Sequence, residues 1–212
     1  MSKSSESQKP GLKVSNAQSK QLFEEGFALA FETRRKTKPW ARIVNLWKTA
    51  ASNGNLRAQF YLATCYDFGN GVRRNVRKSF DWYLIAAKRG KMEAQYNIGI
   101  FYRDGELVRK NYSKAFHWFS LSAKQGDSLA QLNLGFSYFH GQGVKKDHHA
   151  AVYWYKKAAA RNEDKALTNL GLCYKYGEGV TQSDRWARHY FQRAASLGNV
   201  QAKENLKRLS MK

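Results

Sequence analysis

Apolar and small residues recur along the chain with a fixed period of 36 residues. Each period contains one turn residue, usually glycine, and an alanine follows it by four residues. Further apolar positions come at intervals of three and four after this alanine, which places them on one face of a helix. A second run, an aromatic pair and then two small residues, precedes each turn, so one period predicts two helices. The turn column is Gly54, Gly90, Gly126, Asn162 and Gly198.

Two further columns predict where the helices end and begin. Glycine readily adopts the left-handed backbone that ends many helices, and asparagine tolerates it, which explains Asn162 in the turn column. The column that we expect to begin helices holds only side chains that accept hydrogen bonds from a helix's first amides. Its members are Asn75, Asn111, Asp147 and Ser183.

The segment Gly141-Gln142-Gly143 raises the question of a phosphate-binding loop. A dinucleotide fingerprint needs a preceding strand and a third glycine. Here helices are predicted on both sides, and Lys146 stands where that glycine belongs. The segment is therefore a loop between two helices.

The order of these residues resembles the Sel1-like repeat (SLR) family. The pattern is Ala-x-x-Trp-Tyr/Phe-x-x-Ala-Ala-x-x-Gly, then Ala-x-x-x-Leu-Gly-x-x-Tyr-x-x-Gly-x-Gly-Val-x-x-Asp, over residues 40–212. The family is related to the tetratricopeptide repeats, so the resemblance implies an all-α fold, a right-handed α-solenoid of stacked antiparallel helix pairs. Ala63 and Leu107 depart from the pattern by replacing glycines.

We expect three segments along the chain. Residues 1–20 are polar and predict a disordered basic tail, and residues 21–38 predict a capping helix with Phe23, Phe27 and Phe31 on one face. Such a helix would cover the open side of the first hairpin, as solenoid ends require. The solenoid, residues 40–212, divides into units 40–75, 76–111, 112–147 and 148–183 and a partial unit 184–212.

The charge balance narrows the class of partner. Lys and Arg number 37 against 16 Asp and Glu, a formal charge of +21. This favours acidic proteins, nucleic acid or anionic lipid as partners. No apolar run reaches the roughly 20 residues that span a bilayer, and no secretory signal is visible. We expect a cytoplasmic monomer, with mitochondrial location or non-classical export left open.

Motifs for catalysis or metal binding were not found in the sequence. Cys65 and Cys173 are three periods apart, roughly 30 Å if each hairpin advances by a helix-packing distance, too far for a disulfide. We expect free core thiols, unlike the paired cysteines of a secreted, cysteine-rich branch of the family linked to penicillin binding and hydrolysis. The five histidines form no zinc motif, and no nucleophile or P-loop motif occurs. We expect no enzyme activity, cofactor or metal.

One candidate binding surface is a stripe on the first helix of each predicted unit. By analogy with related solenoids, these helices line the concave wall. Cations beside apolar side chains suit an acidic protein segment with a few apolar anchors. The aromatic column Trp82, Trp118 and Trp154 is instead expected in the core. The stripe comprises Lys78, Lys88, Lys114, His117, Leu121, Lys124, Tyr153, Lys157, His189 and Arg193.

A second candidate surface is a ridge of basic residues in the loops. These residues are either solvated or contacts to phosphates or acidic side chains. The principal hypothesis is a scaffold or adaptor that binds an acidic protein segment through the stripe. The alternative is a nucleic-acid-binding protein that uses the ridge, with an affinity that falls steeply with salt. The ridge comprises Arg73, Arg74, Arg109, Lys110, Lys145 and Lys146.

Overall fold

All regular structure in the described residues, 13–32 and 37–210 of a computed structural model, is helical. Consecutive helices pack against each other in pairs, which confirms the all-α fold and the period of about 36 residues. No helix in these ranges is long and apolar enough to cross a membrane. The eleven α-helices found there are α1 (Asn16–Phe27), α2 (Trp40–Ser52), α3 (Leu56–Phe68), α4 (Val76–Lys88), α5 (Met92–Asp104), α6 (Tyr112–Lys124), α7 (Ser128–His140), α8 (His148–Ala159), α9 (Asp164–Tyr176), α10 (Asp184–Ser196) and α11 (Val200–Ser210), and a π-helical segment (Ala28–Glu32) follows α1.

The chain forms two compact units. Unit 1 ends at Lys91 and holds α1 to α4, and unit 2 begins at Met92 and holds α5 to α11. Each unit has its own buried cluster, around Trp47 and Leu62 in unit 1 and around Tyr155 and Leu170 in unit 2. The two are described separately below.

The predicted helix starts are confirmed. The side chains of Asn75, Asn111 and Asp147 each accept a hydrogen bond of 2.9 Å from the backbone amide three residues later. Ser183 does the same for the amide of Trp186 at 3.3 Å. The left-handed turn column is confirmed as well, since its glycines and Asn162 all have positive φ, 57° for Asn162.

The N-terminal helix begins earlier than expected. Ser15 and Gln18 form a capping box, in which each side chain accepts a hydrogen bond from the other residue's amide. A capping box is a strong signal for the start of a helix. Residues 16–20 are therefore helical, although they were expected to belong to the disordered tail. Residues 1–12 of that tail, and residues 33–36 of the expected capping segment, lie outside the described residues.

Helix α1 packs on the first hairpin of unit 1. The Phe23 ring stacks on Trp47 with a centroid distance of 6.3 Å, and it lies 5.7 Å from the ring of Tyr61 on α3. The indole nitrogen of Trp47 donates to the Phe23 carbonyl, and Arg57 forms an ion pair with Glu24 at 3.0 Å. The helix therefore covers apolar surface of α2 and α3, the role of a solenoid cap.

Each hairpin of unit 2 is held together by an aromatic ring packed onto a glycine. A Cβ atom at Gly99, Gly135 or Gly171 would lie only 2.4 to 2.6 Å from the ring of Phe119, Tyr155 or Phe191 on the next helix. All three rings are at most 2% exposed. A glycine inside a helix lowers the stability of the helix by about 1 kcal/mol relative to alanine. The close approach of the ring explains why glycine is present at these positions. In unit 1 the equivalent residue is Ala63, itself fully buried.

In each of the aromatic pairs Trp82-Tyr83, Trp118-Phe119 and Trp154-Tyr155, one ring is buried and the other is nearer the surface. Tyr83, at the second position of its pair, is buried like the three rings just described. Trp82, Trp118 and Trp154, at the first position, are only half-buried. Adjacent helical residues point about 100° apart, so both members of a pair cannot face the core. Trp82 and Trp154 nevertheless pack against the buried clusters of their units, so these tryptophans lie at the edge of the core.

We expect Gly135→Ala to lower the free energy of unfolding. Its Cβ would lie 2.6 Å from the Tyr155 ring, and overpacking typically costs about 1 to 3 kcal/mol, more than the gain of about 1 kcal/mol in helix propensity. Urea unfolding of the full chain measures the change.

The same substitution in a Tyr155→Leu background serves as the control. The smaller side chain leaves room for the methyl group, so Gly135→Ala should cost less there. Equal destabilisation in both backgrounds would contradict the proposed ring contact.

Candidate functional site

Unit 2 contains a groove of about 710 Å³ along α5, α7 and α9. Tyr96, Leu129, Leu132 and Phe136 supply its apolar surface. On α7 the buried residues Ala130 and Leu134 face the core, so Leu129 and Phe136 fall on another face of the helix. Each of these two side chains is 41% exposed. Apolar side chains are therefore open to solvent within a concave surface.

A fixed polar network forms one end of the groove. The Arg103 guanidinium donates to both carboxylate oxygens of Asp104, at 2.7 and 2.9 Å, and to Oδ1 of Asn133 at 2.8 Å. The hydrogen bonds from Arg103 lower the pKa of the Asp104 carboxyl. Asn133 in turn donates to the Leu129 carbonyl. Arg103 is thus partly neutralised and serves mainly to position its neighbours.

The charged side chains that line the groove are cations, but carboxylates lie close to it: burial raises the pKa of Tyr96, and Asp127, Glu163 and Asp104 raise it further. Arg103 and Lys165 line the groove, and none of its described lining residues is acidic. At the margin, Asp164 accepts a hydrogen bond from Asn199 at 2.5 Å, and burial raises the pKa of Glu163. Exposed Lys165 is therefore the lining cation best able to meet an incoming carboxylate.

None of the predicted stripe residues lines this groove. They lie on α4 in unit 1 and on α6, α8 and α10 in unit 2. Most are exposed, but Leu121 and Arg193 are half-buried. Arg193 donates to the Ala159 carbonyl at 3.3 Å and to Asn162 at 3.2 Å, so this cation holds a turn in place. The stripe as a binding surface stays a prediction.

The predicted loop ridge consists of exposed side chains in both units. Arg73 and Arg74 line a pocket in unit 1, and Arg109 and Lys110 line one in unit 2. Lys145 and Lys146 are exposed as well.

The two cysteines lie in the cores of their units. Cys65 and Cys173 are each 1% exposed and unpaired. Burial raises the pKa of both thiols to about 12, so thiolate is scarce at neutral pH. Over residues 13–32 and 37–210 no group of three or more His, Cys, Asp or Glu residues is arranged to hold a metal ion.

Four consecutive segments match the Sel1 repeat: residues 56–91, 93–127, 128–163 and 164–199. Together they cover more than half of the chain. The chain belongs to the Sel1 repeat family. The resemblance seen in the sequence is thereby confirmed, and the family's α-solenoid fold typically mediates protein binding and is generally non-catalytic.

The matched segments change which helix comes first in each repeat. They begin at or near the starts of α3, α5, α7 and α9, whereas the predicted units began one helix earlier. A period fixes the spacing of repeats but not their starting point, which is why the sequence pattern left this open. The predicted binding wall was assigned to the helices that carry the stripe and stays a prediction, whereas α5, α7 and α9 are the first helices of the matched segments and line the groove. The sequence did contain a signal for the groove, because Leu129 and Phe136 are apolar although they lie outside the buried face of α7.

Solved structures show the same fold. A protective antigen of uropathogenic Escherichia coli with an SLR fold is 30% identical, with a TM-score of 0.81, over 92% of this chain and 43% of the antigen. A Sel1 repeat protein from Oxalobacter formigenes has the same identity and TM-score over 92% of this chain and 79% of its own.

A more distant match is limited to the fold. An immunity protein from Pseudomonas aeruginosa is 24% identical, with a TM-score of 0.54, over 87% of this chain and 68% of its own. This chain spans less than half the length of the E. coli antigen. Comparison with curated proteins gives no match.

We expect Cys65 and Cys173 to react slowly with maleimide in the folded protein. A shift from pKa 9.0 to about 12 lowers the thiolate fraction at neutral pH roughly 1,000-fold, and thiolate is the reacting form. Mass spectrometry after brief labelling at pH 7, with and without denaturant, measures both sites. Equal rates in the two conditions would contradict the burial.

Proposed function

We propose that this chain is a non-enzymatic protein-interaction scaffold that binds an acidic segment of a partner protein. The observation that carries the proposal is the groove of unit 2, in which exposed apolar side chains lie beside Lys165 and none of the described lining residues is acidic. The family's usual role in protein binding supports the same function. The buried, weakly acidic thiols supply no activated nucleophile.

The apolar side chains indicate the spacing of the partner's anchors. Leu129 and Phe136 are seven residues apart on α7, which corresponds to about 10 Å along the helix axis. A partner segment with two apolar side chains at that separation can contact both. Recognition of this kind concentrates binding energy in a few buried anchors, while Lys165 at the rim favours an acidic residue between or beside them.

The stripe on α4, α6, α8 and α10 is the second candidate surface for the same function. Within unit 2 its exposed members include Lys114, Tyr153 and Lys157. Lys157 already lies over the Tyr153 ring, 5.0 Å from its centre. Substitution of the two surfaces separately distinguishes them.

The test begins with selection of binders to the full chain from a random peptide library. We expect the selected peptides to carry acidic residues and two apolar side chains. The affinity of a fluorescent selected peptide is then measured by anisotropy. The triple variant Leu129→Ala, Phe136→Ala and Lys165→Glu should bind at least about tenfold more weakly, since loss of an anchor costs over about 1 kcal/mol.

The matched control is the variant Lys114→Glu, Tyr153→Ala and Lys157→Glu on the stripe, which should bind within about twofold of the parent. All six side chains are exposed or line the open groove, so thermal unfolding should show both variants folded. Loss of binding in the stripe variant alone would move the site to the stripe. If the selected peptides lacked acidic residues, the proposal of an acidic partner would be contradicted.

A further inference from the structure

A basic pocket in unit 1 lies where the loop between α3 and α4 meets the start of α4. It has a volume of about 600 Å³, and its lining includes Lys48, Arg73, Arg74 and Lys78 but none of the described acidic residues. The Lys78 ammonium lies 5.4 Å from the centre of the Tyr66 ring, which forms part of the wall. Arg74 is held by a hydrogen bond of 2.9 Å to the Asp67 carbonyl.

Unit 2 contains the same pocket one period later. Its volume is about 480 Å³, and Arg109, Lys110 and Lys114 line it together with Tyr102, again without a described acidic residue. Lys114 lies 5.1 Å from the Tyr102 ring centre, as Lys78 does over Tyr66. The two pockets therefore repeat in side chains and in geometry.

The full set of pocket residues, a basic pair, a capping asparagine and a lysine one turn into the helix, occurs in two loops. In the next loop an aspartate, Asp147, replaces the capping asparagine, and Ala150 replaces the lysine one turn into the helix. In the last loop Thr181 and Gln182 replace the basic pair, and Trp186 replaces the lysine. An anionic ligand would account for the grouping of three or four cations around one cavity.

The chemistry of the cations favours phosphate. Arginine presents a planar fork of donors that matches phosphate oxygens, and lysine adds a point charge. Grouping like charges costs repulsion, which a bound anion relieves; in unit 2 the Asp104 carboxylate acts on Lys110. Each pocket by itself can hold a phosphate group of a ligand that carries many phosphates.

Exposed aromatic side chains stand beside both pockets in the sequence. Phe68 directly precedes the loop of the unit 1 pocket and is 73% exposed. Tyr112 follows the loop of the unit 2 pocket, is 36% exposed and has the Lys110 ammonium 5.7 Å from its ring centre. Basic grooves with exposed aromatic rings bind single strands, because phosphates meet the cations and bases stack on the rings.

We propose that these two pockets bind backbone phosphates of single-stranded nucleic acid, with Phe68 and Tyr112 as stacking surfaces for bases. This activity is independent of the peptide groove in unit 2. Binding of nucleic acid would explain why these loops carry an excess of cations.

The test is fluorescence anisotropy of the full chain with labelled single-stranded RNA, single-stranded DNA and duplex DNA at 50 and about 200 mM salt. The pocket variant carries Arg73→Ala, Lys78→Ala, Arg109→Ala and Lys114→Ala. Its affinity for single strands should fall at least about tenfold, and the slope of log affinity against log salt should fall by about 2 to 3, since each lost phosphate contact removes about 0.7.

The matched control removes the same charge from exposed cations elsewhere, through Lys156→Ala, Arg185→Ala, Arg188→Ala and Lys203→Ala. It should bind single strands within about twofold of the parent. Equal losses in both variants would assign the binding to net charge and overturn the pockets. The groove variant of unit 2 should bind nucleic acid normally, so failure of one proposal is distinguishable from failure of the other.

Two further arms test the ligand class. Phe68→Ala should weaken single-strand binding roughly fivefold or more, as loss of a stacked base does, without affecting duplex binding. No effect of this substitution, or tighter binding of duplex, would overturn the single-strand assignment. Displacement of the strand by millimolar inorganic phosphate, at an ionic strength matched with chloride, would identify an isolated phosphate group as the ligand and overturn it as well.

Discussion

The close packing of an aromatic ring onto a glycine sets the distance between the helices of each hairpin in unit 2. The contact occurs three times, at Gly99, Gly135 and Gly171. Because it recurs at the same position, α5, α7 and α9 hold equivalent positions relative to the helices that follow them. Their remaining faces are thereby presented in the same way, and the groove lies on these faces.

The repeated core leaves the surface free to vary. Core positions keep small residues and rings in register, whereas surface positions differ among the repeats. The cation at Arg73 recurs as Arg109 and Lys145, but further along the chain the cation at Lys78 recurs only as Lys114. One scaffold can therefore carry a groove on its helices and basic pockets in its loops without any conflict in packing.

The sequence predicted structure correctly at positions where the local backbone permits only a few residue types. Capping side chains and left-handed turns depend on local chemistry, so Asn75 and Asn162 could be interpreted directly. The groove was not predicted, because the 36-residue period does not fix where a repeat begins and because the network of Arg103, Asp104 and Asn133 depends on side-chain conformations. The start of α1 was missed because the capping box at Ser15 lies inside a polar segment.

The most direct test of the account is to locate the bound peptide by cysteine protection. The native thiols are buried, so Leu129→Cys in the groove and Tyr153→Cys on the stripe can each be labelled selectively with maleimide. Saturation with a library-selected peptide should slow labelling of Leu129→Cys at least about tenfold and leave Tyr153→Cys unchanged, since a bound anchor excludes solvent from its site. Protection of Tyr153→Cys, with Leu129→Cys labelled at its free rate, would contradict the account.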